Sequence, residues 1–525
     1  MKNALCISSW CSRLGSPPAA RGLLLIIILF GAWLRMNNLT AYPTWWDEHV
    51  SVFDASGQIA TQGTKYGGRV SQAALGIPIV SVLGDQKTFQ AADVLELKKL
   101  ANIPAATLFW DRGNGLAFAL LLSGWISVFG FSDVALRALP CLLGALAIPA
   151  VFAVGVRATK LSMVGLLAAL FVACNSLLVQ FSREVRPYSL AVLLCLLATY
   201  TLIGFFDGNV RHPVFRGLLY AALVVALGFT HYLAVPILVG SHFFGALIAV
   251  ARWKALGVWA GAASALGIAM AAWLAWGAGL GLQAMREHDQ IWLQRAMGGG
   301  CWWLTPFDWR NGVRLLIERT VQFNMPHFIF WPPQGWANCA LLGIFLLAAL
   351  LGLLAALRSS TQAALACVAV FFAASAGGVL SLYLSWKSGH TVPFIDRYFT
   401  FYIPFQSLLI ATAISGIARI RSRRLKISAA AVLVCGSACL LFANVSGALS
   451  PKQKESFSFD RVAESIGPEL LPGTQARCDS LDSALILALK AATKYPRLRL
   501  VIDPKAEPKA SIQTGNPNTN NISHE

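Results

Sequence analysis

Charged residues are scarce in this sequence. Asp, Glu, Lys and Arg together make up 13% of its 525 residues, against about 25% in a soluble globular domain. Hydrophobic residues make up 56%, and they are concentrated in apolar runs of about 20 residues, the length that crosses the hydrocarbon core of a bilayer. The composition therefore excludes an ordinary soluble domain and predicts an all-α polytopic membrane protein.

Acidic residues are scarcer than basic ones, 24 against 42, which leaves a formal net charge of +18. A nucleic-acid partner would need these cations clustered on one face, whereas they lie mostly in short loops between the apolar runs. Short cytoplasmic loops of membrane proteins collect Lys and Arg. The basic balance therefore indicates topology, and we expect the lipid bilayer as a partner and no nucleic acid.

Motifs for cofactors are also lacking. The sequence has no phosphate-cradling Gly-rich loop and no repeat of fixed period. Cys435 and Cys439 are one helical turn apart, but no His or further Cys joins them as a zinc site requires. We therefore expect no required cofactor. A divalent metal is an option only if Asp47, Glu48 and Asp111 converge in the fold.

Eleven apolar runs are predicted to span the membrane. The first follows Lys2, Arg13 and Arg21 and lacks a small-residue cleavage site, so we interpret it as an uncleaved helix rather than a signal peptide. The predicted spans cover residues 22–36, 138–156, 161–181, 187–206, 217–232, 233–250, 255–281, 337–357, 362–384, 398–418 and 427–447.

A twelfth run, Gly115–Phe129, is assigned by charge. If it does not span, the basic loops near residues 158, 213, 253, 358 and 422 all fall inside, as the positive-inside bias requires. If it spans, they all move outside. We therefore predict an amphipathic helix on the outer membrane face, with the N-terminus inside and the C-terminus outside.

This topology divides the chain into four segments. Residues 1–21 form a cytoplasmic N-terminus, and 22–447 form the transmembrane domain with large outer loops at 37–137 and 282–336. Residues 448–502 form a small outer segment, with helices predicted near 459–466 and 480–493 and a strand at Leu498–Ile502. Residues 503–525, rich in Pro, Lys, Asn and Thr, are predicted to be a disordered tail.

The first candidate site follows span one, where Asp47 and Glu48 come directly after Trp45 and Trp46. One interpretation is an interfacial Trp belt with solvated acids. The other is a catalytic carboxylate at the mouth of a membrane cavity. An attacking hydroxyl must lose a proton, and a carboxylate within hydrogen-bond reach can accept it.

A second candidate is the motif Phe-Trp-Asp-Arg-Gly-Asn-Gly at residues 109–115. Asp111 lies just before the helix predicted over Gly115–Phe129. It either caps that helix or joins a polar site, and Arg112 is a candidate contributor to phosphate binding.

A third candidate is the motif Ser-Arg-Glu-Val-Arg-Pro-Tyr at residues 182–188, at the outer end of span three. Arg183, Glu184 and Arg186 place three charges within four residues, which is costly at a membrane boundary unless they are paired or face a polar cavity. On a helix the two Arg would share a face and could hold a phosphate. The alternative is a self-neutralised anchor.

Two smaller motifs lie on the same predicted side. His231, in Thr-His-Tyr, lies at the outer turn between spans five and six, and Arg397, in Asp-Arg-Tyr, begins span ten from outside. His231 is either structural or in contact with substrate. An outer-end Arg runs against the positive-inside bias, which favours a functional role for Arg397, although such a side chain can also snorkel to lipid headgroups.

In this order the motifs resemble one bacterial group over residues 22–415. The group comprises membrane glycosyltransferases of the GT-C type related to protein O-mannosyltransferases and lipid A aminoarabinose transferases, with the lipopolysaccharide-core RgtA-like branch closest. The resemblance implies paired surface helices in the first outer loop. It also implies a polyprenyl-phosphate sugar donor, usual inversion at the anomeric carbon, and a glycan, lipid or protein acceptor at the outer face of a bacterial inner membrane.

The resemblance also implies roles for the candidate residues. Asp47 corresponds to the catalytic base, with Glu48 beside it as a second catalytic candidate. Arg183, Arg186 and Arg397 are the candidates to hold the carrier phosphate. The remaining substrate-binding candidates are Asp111, Arg112, Glu184, Tyr188 and His231.

Two other classes of protein remain as alternatives. A transporter or flippase for a lipid-linked glycan would place charges within the spans and often show inverted repeats, and the sequence shows neither. A non-catalytic membrane scaffold would leave the outer-face charges unexplained.

Overall fold

The computed structural model describes thirteen stretches of the chain, which carry every statement below. They are residues 17–39, 46–57, 88–90, 97, 100–206, 210–249, 253–299, 304–324, 336–358, 361–449, 475–478, 499–502 and 511–513. Trp45, most of the insert between residues 58 and 99, and the two helices predicted near 459–466 and 480–493 lie outside these stretches.

Helices make up most of the described chain, and we number them in chain order. Their bounds are α1 Pro17–Met36, α2 Trp46–Ser56, α3 Ile103–Asp111, α4 Leu116–Phe129, α5 Asp133–Thr159, α6 Ser162–Cys174, α7 Ser176–Ser182, α8 Tyr188–Phe206, α9 Pro213–Gly228, α10 Ala234–Ile248, α11 Trp253–Trp273, α12 Gly279–Met297, α13 Trp309–Asn324, α14 Trp336–Leu357, α15 Gln362–Ser375, α16 Gly378–Ser388, α17 Ile403–Gly416 and α18 Arg423–Leu449.

Each predicted span coincides with a helix or a broken helix. Among the described residues, six helices are long and apolar enough to cross a membrane, and a seventh span arises if α6 and α7, bent by 60°, are counted as one. Five further apolar helices are shorter: α4, α9, α10, α17 and the part Gly343–Leu357 of α14. The prediction of a helical, polytopic membrane protein is therefore confirmed.

The bend between α6 and α7 is held by a buried cation. A bend leaves helix carbonyls without their usual partners. Arg35, which is 1% exposed, donates from Nη2 to the Val172 carbonyl at 3.1 Å and from Nη1 to the Ala173 carbonyl at 3.0 Å. Asn175 then caps α7, because its Oδ1 accepts from the Leu178 amide at 3.0 Å. The bend ties the end of α1 to the third predicted span.

Small residues set the closest helix crossings, as they do in membrane bundles. A Cβ on Gly155 of α5 would lie 3.0 Å from the Cα of Gly165 on α6. A Cβ on Gly416 would lie 1.9 Å from the Gly352 carbonyl oxygen, where α17 crosses α14. Neither crossing leaves room for a larger side chain without a shift of the backbone.

One end of the bundle gathers the candidate motifs, and we call it the site end. It holds α2, α3, the turn between α9 and α10, and the start of α17. Both ends of α4 lie there too: its Ala117 amide bonds the Phe229 carbonyl at 2.9 Å, and Trp125 bonds the Ala135 carbonyl at the start of α5 at 2.7 Å. The helix α4 therefore lies across the site end, and its exposed side is apolar, with Val128 at 73%.

A small sheet is the exception to the helical architecture. Its strands are β1 Thr88–Gln90, β2 Gln475–Cys478, β3 Arg499–Ile502 and β4 Ser511–Gln513, in the order β1-β3-β2-β4. The strand predicted at Leu498–Ile502 coincides with β3. Three-residue β1 carries too little pattern to be predicted, and it pairs antiparallel with β3, with Phe89 opposite Leu500.

The pairing of β1 with β3 constrains the topology independently of charge. The first large loop and the C-terminal segment must lie on the same side of the membrane, so an even number of spans separates them. The ten predicted spans from 138–156 to 427–447 satisfy this condition. Counting α4 as a further span would break it.

Candidate active site

The helix α2 presents three polar residues on one face. Asp47, Ser51 and Asp54 are spaced at i, i+4 and i+7, which places them in one row. Asp47 forms an ion pair with Arg397, and about a fifth of each side chain is exposed. A carboxylate in partial contact with solvent therefore faces a cation contributed by a segment 350 residues further along the chain.

Arg186 joins this row to the neighbouring motif. Its Nη1 donates to the Asp47 carbonyl at 3.0 Å and to Ser51 Oγ at 3.1 Å, and its Nη2 donates to Asp111 Oδ2 at 3.1 Å. The side chain is buried, at 6%. Arg186 is therefore occupied by protein groups and organises the two acidic residues.

Asp111 reaches the site because the chain turns sharply after it. Arg112, Gly113 and Gly115 have φ values of 55°, 81° and 89°, a backbone region that glycine adopts without strain. Asp111 ends α3, whereas Gly115 is the N-cap of α4 and makes no side-chain cap bond. The helix-cap interpretation of Asp111 is therefore wrong, and its carboxylate pairs with Arg186 instead.

The Thr-His-Tyr motif lies against this turn. Asn114 Oδ1 accepts from the Tyr232 amide at 3.1 Å. The ring of His231 lies 4.6 Å from that of Phe401 and within 6 Å of those of Tyr188 and Tyr398.

A hydrogen bond from the backbone assigns the tautomer of His231. Its Nδ1 accepts from the Leu233 amide at 3.3 Å, so Nε2 carries the hydrogen. Because the ring is surrounded by aromatic side chains and lies near two guanidinium groups, it can supply a hydrogen bond to an anion without adding charge.

Glu48 lies in a different environment from its neighbour Asp47. Arg137 of α5 holds both of its oxygens, from Nε at 3.1 Å and from Nη2 at 3.0 Å, and the Val185 amide donates to Oε1 at 3.0 Å. Both side chains are at most 4% exposed. The carboxylate of Glu48 thus links α2 to α5. It is buried, unlike the partly exposed carboxylate of Asp47.

Arg183 also lies away from Asp47. Residues 183–186 are irregular rather than helical, so Arg183 and Arg186 do not share a helix face as the sequence suggested. Arg183 donates to the carbonyls of Leu34, Arg35 and Ala448, at the ends of α1 and α18. It complements the negative ends of these helices.

The remaining predicted residues surround the site. Burial lowers the pKa of Arg112, and the charges of Asp111 and Asp289 oppose that shift. Tyr188 is buried, and the Arg186 guanidinium lies 5.9 Å from its ring centroid. Glu184 is buried and accepts from Gln180 Nε2 at 3.5 Å.

The sequence analysis did not identify two charged residues at the site, Asp54 and Arg137. Asp54 is 3% exposed, and its Oδ1 has no hydrogen-bond partner in the described residues. Burial and the nearby charge of Asp111 raise its pKa well above the usual value. Asp54 follows Asp47 by seven residues on the same helix, and this helical spacing could have predicted that the two carboxylates share a face. Arg137 lies at the outer end of the predicted span 138–156, where the argument used for Arg397 applies equally.

In the described stretches, no group of three or more His, Cys, Asp or Glu side chains is arranged to hold a metal ion. Asp47 and Asp111 are each paired with an Arg, and Glu48 is held by Arg137. We therefore assign no residues to a metal. The arrangement is that of partly exposed carboxylates, those of Asp47 and Asp111, beside guanidinium groups at one end of a helical bundle.

One known protein family matches part of the chain. Residues 114–276 match the family model described as dolichyl-phosphate-mannose-protein mannosyltransferase. The match includes the Arg183–Tyr188 and Thr-His-Tyr motifs. It confirms the resemblance to GT-C membrane glycosyltransferases related to protein O-mannosyltransferases, while the RgtA-like branch remains a prediction. No curated protein matches the chain in sequence.

The solved structures that are similar to the chain include two of an archaeal oligosaccharyltransferase. One is the Archaeoglobus fulgidus oligosaccharyltransferase tethered to an acceptor peptide, with 12% identity, a TM-score of 0.49 and 88% of this chain covered. The other is oligosaccharyltransferase AglB from the same organism, in complex with an inhibitory peptide and a dolichol-phosphate, with 13% identity, a TM-score of 0.45 and 86% covered. The chain spans 58% of the length of each.

Proposed function

We propose that this protein transfers a sugar from a polyprenyl-phosphate carrier to a hydroxyl-bearing acceptor, a glycan, lipid or protein, at the outer face of the membrane. The observation that carries the proposal is the pairing of Asp47 with Arg397 at the site end. A general base and an anion-binding cation lie side by side at a membrane boundary, where a lipid-borne donor and a water-borne acceptor can meet.

The chemistry needs one base and stabilisation of one leaving anion. The acceptor oxygen attacks the anomeric carbon, the bond from that carbon to the phosphate oxygen breaks, and the polyprenyl phosphate leaves with the bonding electrons. The acceptor proton passes to Asp47. Fixed cationic groups in a low-dielectric site stabilise the charge that develops on the phosphate.

Among the candidate cations, Arg397 is assigned the carrier phosphate. It is about a fifth exposed and its partner is a carboxylate, which the phosphate can replace. Arg186 is buried and engaged by Asp47, Ser51 and Asp111, so we assign it the positioning of the acidic residues. Arg183 bonds helix-end carbonyls and is left out of the phosphate site. The Nε2–H of His231 is assigned a second hydrogen bond to the anion.

Binding of the sugar-free carrier tests this assignment. Purified protein in lipid nanodiscs is titrated with polyprenyl phosphate, and uncharged polyprenol serves as the ligand control. Replacing Arg397 by Ala removes a charge-assisted contact worth roughly 1.5–3 kcal/mol, so we expect affinity for the phosphate to fall about tenfold to a hundredfold. Arg421→Ala, at an exposed cation near the opposite end of the bundle, is the matched control and should leave affinity unchanged.

The comparison with uncharged polyprenol shows whether binding depends on the phosphate group. Equal affinity for polyprenol and polyprenyl phosphate, or equal phosphate affinity in wild type and Arg397→Ala at similar thermal stability, would contradict a phosphate site at Arg397.

A further inference from the structure

Arg397 lies in a segment that a second part of the chain holds in place. Residues 304–324, which we call the clamp segment, run beside residues 378–399. The Phe307 amide bonds the Gly389 carbonyl at 2.8 Å, and the Thr391 amide bonds the Thr305 carbonyl at 3.2 Å. The Thr305 amide in turn donates to Thr391 Oγ1 at 2.9 Å. The start of the clamp segment is therefore fastened to the loop that precedes Arg397.

The helix of the clamp segment is seated closely on its neighbour. A Cβ on Gly312 of α13 would lie 2.8 Å from Leu382 Cδ1 of α16. In the opposite direction, a Cβ on Gly378 of α16 would lie 2.5 Å from Leu316 Cδ1 of α13. Each helix thus inserts a Leu side chain against a glycine of the other. This fixes both the spacing and the register of α13 along α16.

The last contact of the clamp segment is an ion pair. Arg319 Nη1 lies 3.1 Å from Asp396 Oδ1, and the side chains are 8% and 28% exposed. Asp396 opens the 3₁₀ helix Asp396–Phe399, a single turn in which the next residue is Arg397. The Arg397 carbonyl accepts from Thr400 Oγ1 at 2.9 Å, which closes the turn at its other end.

We infer that Arg319 is a positioning residue for the proposed transfer: through Asp396, it fixes the 3₁₀ turn that directs Arg397 towards Asp47 and the carrier phosphate. The link to the donor rests on the proposed function, whereas the restraint of the turn does not. A one-turn helix has little cooperative stability of its own, so its orientation depends on its anchors. Asp396 is the anchor that directly precedes Arg397 in the chain.

The test separates positioning from simple stabilisation. The variants are Arg319→Gln, which breaks the pair, and Arg319→Lys, which keeps the charge. Arg314→Gln is the matched control, because Arg314 lies on the same helix with its side chain 65% exposed and forms a surface pair with Glu318. Full-length protein in nanodiscs is used for thermal unfolding and for hydrogen exchange of the peptide 392–402. It is also used for KM and kcat with one donor, the radiolabelled polyprenyl-phosphate sugar that wild type transfers from a panel.

We expect Arg319→Gln to speed amide exchange in the peptide 392–402 and to raise donor KM on the order of tenfold or more, because misplacement of about 1 Å is costly in a preorganised site. Arg319→Lys should recover most of both effects, and Arg314→Gln should show neither. If Arg319→Gln does not fold, Asp396→Asn breaks the same pair from the other side and should give the same two changes.

Two results would overturn the inference. One is exchange of 392–402 in folded Arg319→Gln or Asp396→Asn that matches wild type. The other is faster exchange with donor KM unchanged, which would leave Arg319 a purely structural residue. If wild type transfers no sugar from a polyprenyl-phosphate donor, the proposed function fails instead, and exchange alone then decides whether Arg319 restrains the turn.

Discussion

Asp47 is the residue on which the proposed chemistry depends. Its carboxylate is partly accessible and paired with Arg397. Asp47→Asn keeps the shape of the side chain and removes the base, so turnover at saturating donor should fall by about 10²–10⁴-fold. Affinity for the donor should be equal or higher, because Arg397 loses a competing carboxylate. Glu318→Gln, which removes a carboxylate from an exposed surface pair, is the control, and full turnover in Asp47→Asn would remove Asp47 from catalysis.

Asp54 gives a prediction about pH and stability. Burial raises the pKa of Asp54 in the folded protein. In the unfolded chain its pKa is about 3.9. At a pH between the unfolded and the folded pKa, the unfolded chain has therefore released a proton that the folded chain still holds. The contribution of Asp54 to the free energy of unfolding therefore falls as pH rises from the unfolded pKa to the folded pKa. Asp54→Asn should unfold at a higher temperature than wild type at pH 7, and the difference should shrink towards pH 4.

A lower unfolding temperature in Asp54→Asn would contradict this prediction. If the carboxylate is charged at neutral pH and stabilised by Arg186, Asp54→Asn will lower the unfolding temperature at pH 7. Thermal unfolding in detergent at a series of pH values distinguishes the two signs.

At the scale of elements, the position of α2 depends on the buried pair of Glu48 and Arg137. Removing one partner leaves an uncompensated buried charge, which costs about 3–5 kcal/mol. Glu48→Gln should therefore lower the unfolding temperature strongly. The double variant Glu48→Gln with Arg137→Gln leaves no unpaired charge and should recover part of the loss. Unchanged stability in Glu48→Gln, with turnover lost, would instead support the catalytic role that the sequence suggested for Glu48.

The elements themselves could largely be predicted, but the pairing of their side chains could not. Apolar run length predicted segments that coincide with helices, α4 included, whereas the placement of α4 on the outer face stays a prediction. The sequence does not reveal that residues 183–186 leave the helix, so Arg183 and Arg186 point to different places. Nor does it reveal that Arg137, 89 residues after Glu48, is the partner of that carboxylate. Long-range ion pairs follow from tertiary packing and leave no local pattern.

At the scale of the whole molecule, the pairing of β1 with β3 and the loop charges predict the same topology. Reporter fusions should place residues 158 and 422 inside, and residues 120 and 480 outside. The sheet requires residues near 88 and 500 to share a side, and the basic loops assign the opposite side to the cytoplasm. An inside location for residue 480 would contradict the charge argument, and residues 120 and 480 on opposite sides would contradict the argument from the sheet.

The central claim is that the protein takes its sugar from a polyprenyl-phosphate donor. The most direct measurement incubates purified protein in vesicles with a panel of radiolabelled polyprenyl-phosphate sugars and membrane extract, with nucleotide sugars as parallel donors, and follows the label into acceptor. The account predicts transfer from at least one polyprenyl-phosphate sugar, none from nucleotide sugars, and loss of transfer in Asp47→Asn. Transfer from nucleotide sugars alone, or no transfer from any polyprenyl-phosphate sugar by folded wild type, would contradict it.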